Sequence, residues 1–178
     1  GYSECMTDSD ILRPLAARVA EIATDPHQDR TRAAWRALNA LRPGRPLVMI
    51  DQIPWHEMNV NNELTLQCES ELARAIETDL RRTIYRWNHM RVDMVVEPYV
   101  YVPKAIEGAS LGIEMHDDEA SLDPANDVVG RHYIDQLSTD DDLEKIRMPR
   151  VRVDAVATNA REAEARDLLN GELDVRMQ

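Results

Sequence analysis

Glu97 lies within an apolar run, Asp93-Met94-Val95-Val96-Glu97-Pro98-Tyr99-Val100-Tyr101-Val102-Pro103. A carboxylate turned inward there needs either a cationic partner or a pKa raised by burial, and both are common ingredients of functional sites. Arg81 or Arg82 would serve as a purely structural partner. In the alternative reading Glu97 is a general base, or the partner of a cationic substrate such as a methylated amine. Tyr99 and Tyr101 share one face of a strand by its period of two, so they can offer π faces to that cation or close over a core. His56 follows Trp55 just beyond another apolar run, where an imidazole can move a proton near neutral pH or stand solvated. Glu97 and His56 are therefore the candidate catalytic residues, and Trp55, Tyr99 and Tyr101 the candidate substrate-binding residues.

Other chemistry-bearing clusters read more simply. His116-Asp117-Asp118-Glu119 with His132 has enough donors for a metal, but adjacent side chains diverge and no H-x-x-x-H spacing exists, so a solvated acidic loop is expected. Asp140-Asp141-Asp142 lacks the glycine and terminal glutamate of a calcium loop and suits the N-terminal end of a helix. No metal ligand is assigned. Cys5 and Cys68 have neither C-x-x-C spacing nor a disulfide framework, so both are expected as reduced thiols, with Cys68 a small packing residue. Gly-rich phosphate loops and the G-x-S-x-G elbow are absent.

Several elements must position these residues. Ile11, Leu12, Leu15, Val19, Ile22 and Ala23 predict a helix over 11–24, with Pro14 near its first turn. Asp25-Pro26 starts a second over 26–41, with Ala34, Trp35, Leu38 and Leu41 as its apolar face and Arg42-Pro43-Gly44 as its stop. Pro46-Leu47-Val48-Met49-Ile50 reads as a buried parallel strand. Leu72, Ala73, Ile76, Leu80, Thr83, Ile84 and Trp87 form the stripe of a helix over 69–90, with Glu77 and Arg81 paired on its outside. The run from Asp93 to Pro103 is then a second strand whose C-terminal end Pro98 marks. Strand, helix, strand implies a parallel crossover. Residues 107–152 form an irregular excursion that can carry a hairpin, with a short helix over 139–146. A helix over 155–169 stopped by Asn170-Gly171 and a third strand over 172–177 close the chain.

Composition bounds the function. The chain has 178 residues, 43% hydrophobic and 30% charged, as a soluble globular protein does. Its net charge of −12 repels a phosphate backbone, so nucleic acid is excluded as a partner. No apolar run can span a bilayer and no basic-then-apolar leader is present, so no membrane association and a cytoplasmic location are expected.

The segments Leu80-Arg81-Arg82-Thr83-Ile84-Tyr85-Arg86-Trp87, Val96 to Lys104, Asp123-Pro124-Ala125-Asn126-Asp127 and His132-Tyr133-Ile134-Asp135 resemble the N-terminal part of bacterial uroporphyrinogen decarboxylase-like proteins. That superfamily also contains the cobamide-dependent methyltransferases. The resemblance covers nearly the whole chain. It implies an α/β fold: the N-terminal section of a (β/α)8 TIM-type barrel, less than half of one, with two leading helices. Residues 1–178 would be one partial domain, divided into leading helices (1–45), a strand-helix-strand unit (46–106), the excursion (107–152) and a helix with a third strand (153–178). Barrel sites lie at the C-terminal ends of strands, which selects Asp51 to His56 and Glu97 to Tyr101. Decarboxylases of the group carry an arginine-rich segment near the first strand for substrate carboxylates, and Asp51 to Met58 has no arginine. Nor does their catalytic Asp stand at the matching distance before Pro103. The resemblance therefore implies methyltransferase-like activity in corrinoid or methylated-amine metabolism, with a small-molecule substrate or a corrinoid protein as partner. Zinc and a corrinoid are the implied cofactors, and no residue of this chain maps as their ligand. Alone, the section would be inactive and would self-associate through the 172–177 strand edge. The alternative is a non-catalytic interaction or assembly module, acting through the excursion.

Overall fold

The computed structural model describes residues 6–111, 117–120 and 130–178, and it is a mixed α/β structure. Two compact units divide it, Gly1–Pro103 with Asn159–Gln178, and Lys104–Thr158.

In the first unit, α1 (Asp8–Ala23) begins at a capping box in which Asp10 N–H donates to Thr7 Oγ1 (3.2 Å) and Thr7 N–H to Asp10 (2.9 Å). This cap starts the helix earlier than its apolar spacing suggests, so Pro14 falls inside it, exposed, rather than in the first turn. α2 (Pro26–Asn39) starts at Asp25, whose side chain accepts from His27 N–H. Its buried positions are the polar Gln28 and Thr31, whereas Leu38 and Leu41 of the expected face are exposed. The reason is polar fastening: the backbone N–H of Val96 donates to Gln28 (3.0 Å), and Trp35 Nε1 donates to the Asp93 carbonyl (2.7 Å).

The expected strand over 46–50 is absent. Val48 alone is anchored, its N–H to the Asp93 carboxylate (2.9 Å) and its carbonyl from Asp93 N–H (3.2 Å), while Val48 and Met49 side chains are exposed. A single anchored residue makes no ladder, and nothing buries the run on both faces. The short α3 (Trp55–Met58) follows. α4 (Glu71–His89) is capped by Ser70 and buries Ala73, Ile76, Leu80 and Trp87, packing against α1.

β1 (Tyr99–Val102) starts just after Pro98 instead of ending there. Proline has no N–H to give a ladder but keeps its carbonyl, which accepts from Asp174 N–H (3.1 Å) at the entry of the pairing. In the second unit, β2 (Ile106–Glu107) pairs antiparallel with a later strand, and β3 (Asp117–Ala120) pairs antiparallel with β4 (Gly130–Tyr133). A 3₁₀ turn, Asp140–Lys145, carries its own capping box from Thr139 to Asp142. β5 (Arg152–Val153) completes the pairing with β2. Gly108 has φ +70°, and a Cβ there would collide with the Arg150 carbonyl, so glycine is required. Cys5, His116 and Asp123-Pro124-Ala125-Asn126-Asp127 lie outside the described residues, as do the side chains of Asp117, Asp118, Glu119 and His132.

α5 (Ala155–Leu169) ends at Asn170 and Gly171, with φ of +47° and +78°, and β6 (Asp174–Met177) pairs in parallel with β1, Tyr99 opposite Asp174 and Val102 opposite Met177. The helix between the paired strands is thus α5, and α4 joins no two strands. Val100, Val102, Leu169, Leu173 and Val175 complete the core that α1 and α4 begin.

Candidate functional site

Three segments of the first unit converge on an open cleft of about 490 Å³: α3 brings Trp55, α4 brings Asp79 and Arg82, and the entry of β1 brings Glu97, Tyr99 and Tyr101. Four of the five sequence candidates therefore share one cleft. His56 does not line it; the imidazole Nε2 lies 3.4 Å from Glu57 Oε1 on the same short helix. Because Pro98 opens β1, Glu97 and Tyr99 stand at the N-terminal end of that strand, opposite to the end from which they were selected.

Glu97 is paired, but by Arg32 of α2 rather than Arg81 or Arg82. Arg32 donates to Glu97 at 3.2 and 3.4 Å, and to the Val96 carbonyl at 2.9 Å. Both distances to the carboxylate exceed the roughly 2.7–2.9 Å of a strong charge-assisted bond, and Glu97 keeps 40% side-chain exposure. The pair is loose and the carboxylate still faces solvent. Tyr99 and Tyr101 meet edge to face at 5.2 Å, as their period-two spacing predicts. Arg176 of β6 lies 3.5 Å over the Tyr99 ring, while Tyr101 remains half-exposed. Trp55 is held by the edge of Tyr85 at 6.0 Å and by Arg82 at 5.0 Å over its ring. The Tyr99 phenol is pushed above its ordinary value, chiefly by the Tyr101 hydroxyl beside it.

Asp79 was not among the sequence candidates. It lines the cleft from the exposed side of α4, and partial desolvation raises its pKa above the ordinary value against the opposing pull of Arg82 and Arg86. Asp79, Arg82 and Arg86 recur at helical spacing beside the apolar stripe of α4, a charged band that periodicity could have revealed.

No family model, curated protein or solved structure matches this chain. The described residues contain no group of three or more His, Cys, Asp or Glu side chains able to hold a metal ion. No zinc ligand is therefore assigned among the described residues. Among them, too, no helix is long and apolar enough to cross a membrane.

A second carboxylate behaves differently. Glu77, expected outside α4, is fully buried and accepts from the N–H groups of Gln67 and Cys68 (2.9 Å each) and from Arg81 Nε (2.7 Å). Burial alone would raise its pKa, but the Cys68 amide, Arg81 and the Gln67 amide outweigh it and hold the carboxyl below its ordinary range. Cys68, buried against this charge, is pushed up to about 12, burial being the larger cause. Its thiol is a packing group, as the sequence suggests, and not a nucleophile.

Proposed function

We propose that the cleft bounded by Trp55, Glu97, Tyr99 and Tyr101 binds a small methylated amine, in the N-terminal section of a methyltransferase-like (β/α)8 barrel of the uroporphyrinogen decarboxylase-like superfamily. The convergence of Trp55 from α3, of Asp79 from α4, and of Glu97, Tyr99 and Tyr101 from the entry of β1 on one cleft carries the proposal. Glu97 and Asp79 supply carboxylates to the ammonium, and the half-exposed Tyr101 supplies a π face. Arg176 already occupies Tyr99, so Tyr99 orients Tyr101 rather than touching substrate. His56 is left without a catalytic task. The parallel β1–β6 pair with α5 between is the kind of unit a barrel repeats, and it supports the fold reading. Methyl transfer itself would draw on groups outside this chain's described residues.

The test is calorimetric titration of the full chain with trimethylammonium and with tert-butanol, its neutral analogue of similar shape. Saturable binding of the cation, at least about tenfold tighter than the alcohol, is expected. Equal or absent binding of both would remove the proposal.

One observation favours the interaction or assembly reading as well. Among the described side chains of Lys104–Thr158 only Thr158 is buried, while Ile106, Leu111, Ile146, Met148 and Val153 are exposed. Light scattering on the full chain would then report self-association that rises with concentration; a monomer throughout would count against this reading.

A further inference from the structure

A second cavity in the first unit, of about 450 Å³, falls within the roughly 300–1,000 Å³ range of small-ligand pockets. Met49, Ile50, Met90, Met94 and Val95 are among the apolar residues of its wall. Unbranched, polarizable methionines adapt to a flexible hydrocarbon chain more readily than branched side chains do. Two charged residues also line it, Asp93 and Arg86, and their situations differ.

Asp93 is satisfied. Its carboxylate takes both Arg45 guanidinium nitrogens and the Val48 N–H, and its carbonyl accepts from Trp35 Nε1. Arg45 and Asp93 together leave this part of the wall neutral. Arg86 is not satisfied: its Nε is buried without an acceptor, and among the described residues its guanidinium makes no ion pair. Asp79 acts on it only through space. That Nε is enclosed away from the cavity, so a ligand meets the rest of the half-buried guanidinium, and a carboxylate is the acceptor whose geometry matches its fork. The cavity thus combines an apolar wall with one unsatisfied cation.

We propose that this cavity binds an apolar monocarboxylate, with the carboxylate on Arg86 and the hydrocarbon chain along Met49, Met90 and Met94. The ligand is opposite in charge to the methylated amine of the neighbouring cleft. Arg86, Met94 and Val95 line that cleft as well, but the inference uses neither Glu97 nor the aromatic residues there, so octanoate binding and trimethylammonium binding are separate readouts of the two proposals.

The experiment is titration of the full chain, labelled at its methionine methyls, with octanoate and with octan-1-ol, followed by nuclear magnetic resonance. Octanoate should shift the Met49, Met90 and Met94 methyl signals saturably, and octan-1-ol should bind at least about tenfold more weakly. Arg86→Met should weaken octanoate at least about tenfold and leave octan-1-ol unchanged. Should that variant fail to fold by circular dichroism, Arg86→Lys retains the charge but loses the fork, and a severalfold loss for octanoate alone is expected. Octan-1-ol binding as tightly as octanoate, no saturable shift with octanoate, or unchanged octanoate affinity in the folded Arg86 variants would each overturn the proposal.

Discussion

Glu77 has no exposed surface and Glu97 keeps 40% of its side chain exposed, although an arginine lies against each. At Glu77 the arginine bond is 2.7 Å and two backbone N–H groups are satisfied by the same carboxylate, fastening residues 67 and 68 to α4. At Glu97 the contacts are 3.2 and 3.4 Å and the arginine divides its donors with the Val96 carbonyl. The first arrangement leaves no lone pair for a ligand. The second leaves a carboxylate on an open cleft. Completeness of hydrogen bonding, more than the presence of an arginine, therefore separates a structural carboxylate from an available one.

The largest expected effect lies at the buried carboxylate. Glu77→Gln removes the charge that pairs with Arg81 and replaces one of the two acceptor oxygens that hold the Gln67 and Cys68 amides, and chemical denaturation should report a loss of about 3–5 kcal/mol. A loss below about 1 kcal/mol would erase the distinction from Glu97. The same substitution should unmask Cys68. With Cys5 replaced by Ser, the Cys68 thiol, pushed up to about 12 by burial, should resist a thiol reagent in the native protein and react readily in Glu77→Gln. Equal rates would show that the loop at 67–68 does not depend on Glu77.

Acid should act next, through Asp93. Its bonds from Arg45 and the Val48 amide hold it at about 2, below an ordinary value of 3.8. A carboxyl depressed in the folded state contributes stability above the unfolded value, and that stability disappears as pH falls from about 3.8 towards about 2. Asp142, held at about 2 chiefly by Lys145, titrates in the same window, so the difference between the natural chain and Asp93→Asn isolates the effect. That variant should lose less stability on acidification, as read by thermal melting at stepped pH; parallel curves would refute the assignment. Glu97→Gln should have the smallest effect on stability, within about 1 kcal/mol, because its pair is half-exposed and long.

Local signals were legible in the sequence. The helix over 155–169 and its stop at Asn170-Gly171 follow from positive-φ residues acting on their own neighbours, and Asp25 starts α2 through a side chain that accepts from the N–H two residues on, whereas the Ser70 cap of α4 lay unread inside the expected helix over 69–90. Residues 46–50 were not, because a buried strand needs partners on both sides and an apolar run does not supply them. Part of the face of α2 was hidden too: Trp35 turns inward as expected, but Gln28 joins it to serve the Val96 N–H, a demand made far along the chain, while Leu38 and Leu41 stay exposed. Glu77 was drawn inside by the amides of Gln67 and Cys68 in the same way. Of the site, the Tyr99–Tyr101 pairing was readable from strand period and the Arg32 partner of Glu97 was not, because nothing local links residues 32 and 97.

On the proposed function, Glu97 serves a ligand and not the fold. Trimethylammonium affinity and melting temperature, measured side by side on the natural chain and on Glu97→Gln, test it most directly. Binding at least tenfold weaker, about 1.4 kcal/mol, is expected, with the melting temperature nearly unchanged. Undiminished binding together with a large fall in melting temperature would instead make Glu97 a structural partner of Arg32.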